Sequence, residues 1–496
     1  MNEQTDVVIV GGGVIGTAIA RELSQYTLDV VLLEAAPDVC TGTSKANSAL
    51  LHAGFNADPE KQKGRMNVRG NELYHERIQH ELDVPIEWRG AMVVAVEEDE
   101  RAKLEELLEK GRENGIADLE IVEGERLREL EPNLTDDAVA ALWAPTAGIV
   151  NPFELTVAFA NNAAMNGATV ELNAEVTDIN ESGDGYTVET VRGDIDADIV
   201  INAAGLYSDK VSAMVGVDDF KITPRRGEYY VYDKKIDIDL ERTIFPVPTP
   251  VTKGIVVTPT DEGNVMIGPN AQELEDVTNN ATTRAGLDEV FEGAKKTVPG
   301  LEKKDVIRQF AGLRPAIKET GDFRIQIERE DPGFINAAGV QSPGLGSAPA
   351  IAEHVVGLVS ELRGELQEDP AFDPHYSGPP KVRHMSHAEH AALIEEDPEY
   401  GQIICRCESV TEGEIRDAIN EPVGAQTVNA IKRRVRPGAG RCQGGFCQPR
   451  VVEILSEELG VDETEIKLED DGSQLLIAET KEPLLEAVSE EVNADD

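Results

Sequence analysis

Basic residues are scarce in this chain. Against 94 Asp and Glu stand 46 Lys and Arg, a formal charge of −48 over 496 residues. A phosphate backbone would be repelled by such a field, and no basic patch interleaved with aromatics offsets it, so a nucleic-acid partner is excluded. No stretch approaches the roughly eighteen apolar residues of a membrane span, so no span of its own is expected. The N-terminus opens into a strand-like run rather than a signal peptide. Cysteines number five, and four of them crowd between 405 and 447. In a chain of this length they read as ligands rather than a disulfide framework. The acid is spread over nearly every segment, which suits a protein kept hydrated in a salt-rich cytoplasm where long-range repulsion is screened. With 40 % hydrophobic residues the chain has enough apolar material to fold, and its length predicts two or three cores.

What is present has a clear order. TDVVIV ends in glycines, VIGTAIARELSQY follows with apolar residues at helical spacing, and DVVLLE completes a βαβ unit. The reading is an α/β protein. A Rossmann-like nucleotide domain is built from about 1–80, 146–220 and 331–365. A mainly antiparallel α+β substrate domain takes about 81–145 and 221–330, where EYYVYD, GIVVTPT, NVMIG and FRIQIE read as its strands. Residues 366–400, rich in Pro, Asp and His without periodicity, read as a linker. A small module follows at 401–460, and 461–496 reads as an acidic extension.

Gly11, Gly13 and Gly16 form GxGxxG between the first strand and the helix, and Glu34 closes the second strand. Gly11 serves the tight turn, Gly13 the close approach of a pyrophosphate, Gly16 the packing of helix on strand, and Glu34 a ribose hydroxyl. These residues leave FAD and NAD both open. The second dense signal is Cys405 and Cys407 in ICRCE with Cys442 and Cys447 in GRCQGGFC. Two close thiolate pairs suit an iron–sulfur cluster, with zinc as the alternative. Gly440, Gly444 and Gly445 would let the backbone bend around it, and Arg406, Arg433, Arg434 and Arg441 would offset its negative charge. Cys40 stands apart and reads as a buried small hydrophobe.

GGGVIGTAIARELS, TSKANSALLHAGF (43–55), AGIVNPFELT (147–156), INAAGLYSD (201–209), GLRP (312–315) and GVQSPGLGSAPAIA (339–352) resemble, in that order, the FAD-dependent oxidoreductases that include glycerol-3-phosphate dehydrogenases, L-2-hydroxyglutarate dehydrogenases and D-amino-acid oxidases. The match covers about 1–365. It implies FAD over NAD, with Gly205 near the nucleotide and Ser44 and Lys45 near phosphate or ribose. Gly344, Leu345, Gly346 and Ser347 would lie near the flavin ring. It also places His52 beside the isoalloxazine, where it would orient substrate or take a proton. Arg314 would grip a substrate carboxylate or phosphate, with Arg225 and Arg226 as supporting candidates. Residues 401–460 resemble the bacterioferritin-associated ferredoxin-like domain, which binds a 2Fe-2S cluster and is appended to the large subunit of anaerobic glycerol-3-phosphate dehydrogenase. One departure stands out: glycerol-3-phosphate dehydrogenases usually carry arginine where this chain has Asn56.

A flavin taking a hydride beside a cluster passing single electrons argues for a dehydrogenase, with oxygen a poor acceptor. The expected reaction is oxidation of a small anionic hydroxy substrate, with glycerol 3-phosphate first and L-2-hydroxyglutarate or another hydroxy or amino acid next. Electrons would leave for a quinone, through membrane-associated partner subunits, or for a soluble carrier. The expected location is the cytoplasm, at the inner face of the membrane where partners hold it there. A reading of another class, an electron-transfer subunit without catalysis of its own, stays open.

Overall fold

The computed structural model describes residues 4–248 and 254–478. The chain divides into two units, Met1–Gly378 and Pro379–Asp496.

In the first unit, strand β1 (Gln4–Val10), helix α1 (Val14–Leu23) and strand β2 (Val30–Leu33) form the opening βαβ unit. Val, Ile and Leu fill these strands because both faces of a parallel sheet are covered. Five parallel strands run in the order Thr169–Glu171, β2, β1, Ile195–Asn202, Gly333–Ala338. The early part of Ile195–Asn202 turns instead to an antiparallel partner, Gly185–Thr190, giving an eight-stranded sheet. Ile9, Ile19, Leu32, Ile201, Ile335 and Val355 share one core beneath α1 and the long helix Gly344–Arg363.

A second sheet, nine-stranded, carries the substrate domain. Its spine is the antiparallel pair Ile222–Tyr232 and Val306–Ile317, in a register that sets Arg225 opposite Arg314. Thr243–Pro246 runs parallel to Ala91–Ala95, whereas among the described residues every other pairing in the sheet is antiparallel. The helix Arg284–Lys295 buries Val290, Phe291 and Ala294 against Ile244, Val257 and Ile267. A small three-stranded sheet of Leu50–Leu51, Gly148–Val150 and Ile86–Glu87 completes the unit.

Three sequence expectations need correction. FRIQIE is the strand Arg324–Glu330, and it pairs with Gly333–Ala338 at the edge of the nucleotide sheet rather than in the substrate domain. Its short turn to the next strand makes it a hairpin arm, and hairpins form between sequence neighbours whatever domain a composition count favours. The stretch read as a linker divides between the units. Residues 366–378 strap the first unit: Thr27 N donates to Gln367 O (2.9 Å), Asp369 N to Gln25 O (2.8 Å) and Tyr376 N to Glu81 O (3.0 Å). Residues 379–400 belong to the second, with the helix His387–Glu396 started by a reciprocal Ser386–Glu389 capping box. The small module also runs past 460, because Ile466 is buried in its core and Val428 N donates to Lys467 O at 3.1 Å. The rest of the acidic extension, from 479, lies outside the described residues.

Arg21 fastens the strap. Fully buried, it donates from Nε to Asn162 Oδ1 (2.9 Å) and from Nη2 to Glu81 Oε2 (2.7 Å) and Pro374 O (3.0 Å). Removing the cation leaves Asn162 Oδ1 without its donor in a dry place and Glu81 with Arg77 alone. Arg21→Met should therefore lower unfolding free energy by about 3 kcal/mol, read as a shift in the urea midpoint with unchanged slope.

The second unit holds the hairpin Ile403–Cys405 and Val410–Thr411 and the helices Glu412–Asn420, Val428–Val435 and Gln448–Leu459 around its own core of Ile415, Ile431, Val451 and Ile454. Among the described residues no helix is long and apolar enough to cross a membrane.

Candidate active site and thiol centre

At the first turn, Gly11 takes φ +112°, and a Cβ there would lie 2.6 Å from Ala203 O. At Gly16 a Cβ would fall 1.9 Å from Gly11 O, so strand, turn and helix touch backbone to backbone. Gly13 is the N-cap of α1, facing Ser44 Oγ, which accepts from Val14 N at 2.9 Å. Ser44 thus occupies the positive end of α1, where a phosphate oxygen would also be favoured. Lys45 ends the same short turn, Thr43–Lys45. Glu34 Oε2 accepts from Gly12 N (2.6 Å) and Oε1 from Ala36 N (2.9 Å). Burial lifts its carboxyl above the ordinary value, partly countered by these backbone donors. Gly205 has φ +54° with open space where a side chain would project, beside the Ala203 backbone that borders Gly11. Cys40 is buried and its Sγ meets Pro152 O at 3.7 Å, as a packed residue would.

The next group converges on His52. The first turn of Gly344–Arg363 lies against it, so that a Cβ on Gly346 would come within 3.5 Å of His52 N. Tyr74 Oη, on the chain that continues helix α2 (Gln62–Leu73), donates to Leu345 O at 2.9 Å and holds that turn in place. Ser347 is buried, its hydroxyl bonded to Pro343 O (3.1 Å), and Gly344 opens the helix. The His52 ring lies 5.8 Å from that of Phe245. Both line a cavity of about 270 Å³ with Asn56, Lys61, Lys63 and Pro343.

Arg314 is not on the wall of that cavity. Its strand neighbours pack on the segment leading to His52: Leu313 O accepts from Thr43 Oγ1 (2.7 Å), and a Cβ on Gly312 would strike Ala46 O. The guanidinium donates from Nη2 to Asn270 O at 2.8 Å. Burial, with Arg225 adding to it, presses its pKa below the usual arginine value, while Tyr229 works the other way. Among the described residues no carboxylate lies within ion-pair distance of it. Arg226, by contrast, is internally committed, to Glu228 (3.3 Å), Ala281 O (2.8 Å) and Gln272 Oε1 (2.5 Å). That removes it as a substrate candidate and leaves Arg225 beside Arg314.

In the second unit, Cys407 Sγ and Cys442 Sγ stand 3.7 Å apart at the surface, while Cys405 and Cys447 are buried. A hydrogen bond from Cys447 draws the Cys405 thiol down to about 6, aided by backbone N–H groups of Gly438, Glu408 and Cys407, and the Cys447 thiol is pushed up correspondingly. Among the described residues no three His, Cys, Asp or Glu converge as a site for one ion. The thiols come instead as pairs, and soft sulfur donors ringed by backbone N–H groups fit a two-iron cluster. Gly440 is required where a Cβ would lie 2.5 Å from Cys407 Cβ. Two of the four arginines expected to balance the cluster do not do so. Arg433 bonds Glu469 (2.6 Å), and Arg434 bonds Glu421 (3.0 Å) and Val423 O (2.7 Å), because both face the module's interior from the helix Val428–Val435. Arg406 and Arg441 are exposed beside the surface thiols, Arg406 resting 4.8 Å over the Phe446 ring.

Residues 6–358 match the family model described as FAD dependent oxidoreductase. The chain belongs to the FAD-dependent oxidoreductases. Residues 403–457 match the BFD-like [2Fe-2S] binding domain, so this family member carries an iron–sulfur module as well. The chain is 46 % identical over 476 residues to a glycerol 3-phosphate dehydrogenase of Caloramator mitchellensis, covering 96 % of this chain and 99 % of that one. It is 26 % identical to anaerobic glycerol-3-phosphate dehydrogenase subunit A1 of Haloferax volcanii, over 95 % of this chain and 86 % of that one. The solved L-alpha-glycerophosphate oxidase of Mycoplasma pneumoniae, with FAD bound, superposes with a TM-score of 0.73 at 35 % identity, covering 76 % of this chain and 99 % of that one. FAD and a 2Fe-2S cluster are therefore the cofactors of this oxidoreductase, and the antiparallel substrate domain on a Rossmann-like sheet is the family's fold.

Lys61 and Lys63 were missed by sequence reasoning, although DPEKQKG places two cations just after the small-residue stretch of an FAD-dependent oxidoreductase this poor in base. The glycine turn offers a sharp test of the nucleotide site. Gly16→Ala forces α1 off β1, a strain of about 1–3 kcal/mol, so the purified variant should lose most of its flavin absorbance while keeping its cluster bands.

Proposed function

We propose that this chain oxidises glycerol 3-phosphate to dihydroxyacetone phosphate and passes the electrons through its iron–sulfur module to a quinone or carrier. The observation that carries this reading is the fusion, in one chain, of a flavin fold and a thiol-paired module, alongside a relative named glycerol 3-phosphate dehydrogenase that matches 96 % of its length. FAD, when bound, supplies a two-electron acceptor for a hydride from the carbinol carbon. Gly11, Gly13, Gly16, Glu34, Ser44, Lys45 and Gly205 would hold its nucleotide half, and Gly344, Leu345, Gly346 and Ser347 would border the ring. Arg314 holds the anionic group of the donor with a charge that, among the described residues, no carboxylate neutralises. His52 takes the hydroxyl proton as the carbinol carbon becomes a carbonyl. Cys405, Cys407, Cys442 and Cys447 would ligate the cluster. Partner subunits would take the electrons onward at the inner face of the membrane, a reading supported by the name of the Haloferax volcanii relative. The charge of −48 supports a salt-rich cytoplasm.

The test is anaerobic. The holoenzyme is titrated separately with glycerol 3-phosphate, L-2-hydroxyglutarate and amino acids while the flavin band is followed. Bleaching by glycerol 3-phosphate is expected. Bleaching by L-2-hydroxyglutarate alone would move the substrate, and no bleaching by any donor would favour an electron-transfer subunit without catalysis.

A further inference from the structure

The cavity beside His52 has two kinds of wall. Phe55, Val93, Leu107 and Phe245 make one part apolar, while Lys61 and Lys63 make another cationic. Asp58 is the acid among the lining residues. Lys61 Nζ donates to Thr320 O at 3.3 Å and Lys63 Nζ to Gly321 O. An ammonium has three donors, so each lysine keeps donors beyond that bond. Asp322 also lies near, but its two oxygens accept from Gln62 N and Lys63 N, both at 2.9 Å, at the start of α2, and no ion pair to either lysine forms within 4 Å. Burial, then the charge of Lys61, holds the Lys63 ammonium below its ordinary value, and Asp322 and Asp58 offset this. Two like charges two residues apart, half-buried at one cavity, repel each other until an anion sits between them. At low salt the surrounding chain, at −48, repels an anionic donor approaching from solvent.

We propose that Lys61 and Lys63 are positioning residues that collect the phosphate of an anionic donor at this cavity, on its way to Arg314 and His52. The inference rests on the reading of the donor as an anion. It separates capture, by the lysine pair, from grip in the reacting complex, by Arg314.

The experiment uses full-length holoenzyme carrying Lys61→Gln with Lys63→Gln, and the matching pair of Lys→Arg changes. Dye reduction by glycerol 3-phosphate is measured across ionic strength, and inorganic phosphate is titrated as a competing anion against flavin fluorescence. The Gln variant should lose about tenfold in kcat/KM at low salt with kcat unchanged. The loss should shrink as salt rises, phosphate affinity should fall in step, and the Arg variant should recover all three. Unchanged kcat/KM together with unchanged phosphate affinity overturns the proposal, as does an equal loss in kcat or a loss that the Arg variant does not restore. If the double Gln variant loses flavin, each single variant is read in the same way. If the wild-type enzyme is not reduced by glycerol 3-phosphate, the donor reading fails, while the phosphate titration still decides the role of the lysines.

Discussion

His52→Gln should slow anaerobic flavin reduction by roughly a hundredfold to a thousandfold and leave flavin content and melting temperature unchanged. Gln keeps a polar side chain of similar reach but cannot accept a proton at neutral pH, so the variant separates proton transfer from packing. The expected selectivity follows from the surroundings. The His52 backbone is fixed independently of the ring, by Asn67 Nδ2 donating to His52 O at 2.9 Å and by the close approach of Gly346. The ring itself faces the cavity near Phe245. A packing histidine would show the opposite pattern, with reduced stability and an unaltered reduction rate. Stopped-flow bleaching with saturating donor distinguishes the two, and a rate within a few-fold of wild type would remove His52 from the chemistry.

The parts legible in the sequence were those whose physics is local. GxGxxG needs a strand before it and a helix after it, and both are written in adjacent apolar runs. The close contacts that demand Gly11 and Gly16 are the structural counterpart of that pattern. The four thiols were legible as one group because cysteine is rare here, but their pairing was not: the structure sets Cys407 against Cys442 and Cys405 against Cys447, each pair across the two motifs. What stayed hidden depended on distant partners. The strap 366–378 bonds through backbone groups to residues more than two hundred positions away, so its side chains need no periodicity and it looks like a linker. Its buried Tyr376, whose hydroxyl accepts from Asn161 Nδ2 at 3.0 Å, was the one audible signal. The Ser386–Glu389 capping box was a missed local one. Arg433 and Arg434 show the reverse error: counted as cluster neighbours from sequence proximity, they turn inward to Glu469 and Glu421. Both are buried on the helix Val428–Val435, and counting charge along a sequence takes no account of burial.

Cys407→Ser should give an enzyme that is reduced by its donor at the wild-type rate yet cannot deliver electrons to a one-electron acceptor. The nucleotide turn and the thiols lie in different compact units, each with its own hydrophobic core. Losing a ligand at the surface of the second therefore leaves the nucleotide turn, His52 and Arg314 untouched. Cys407 is preferred over Cys447 as the test because it is exposed, whereas Cys447 is 2 % exposed and packs with Val451 and Ile454, so that a serine there would unsettle the module as well as the cluster. A serine oxygen is a poor ligand for iron that favours thiolate. The expected readouts are loss of the cluster's visible bands and of its electron paramagnetic resonance signal after reduction, with flavin bleaching by donor unchanged. Cys40→Ser is the control that should alter neither half-reaction, since its sulfur is buried against Pro152 O inside the first unit. If Cys407→Ser still reduced the one-electron acceptor at full rate, electrons would leave directly from the flavin. The module would then have to be structural, and the argument for a dehydrogenase would rest on the first unit alone.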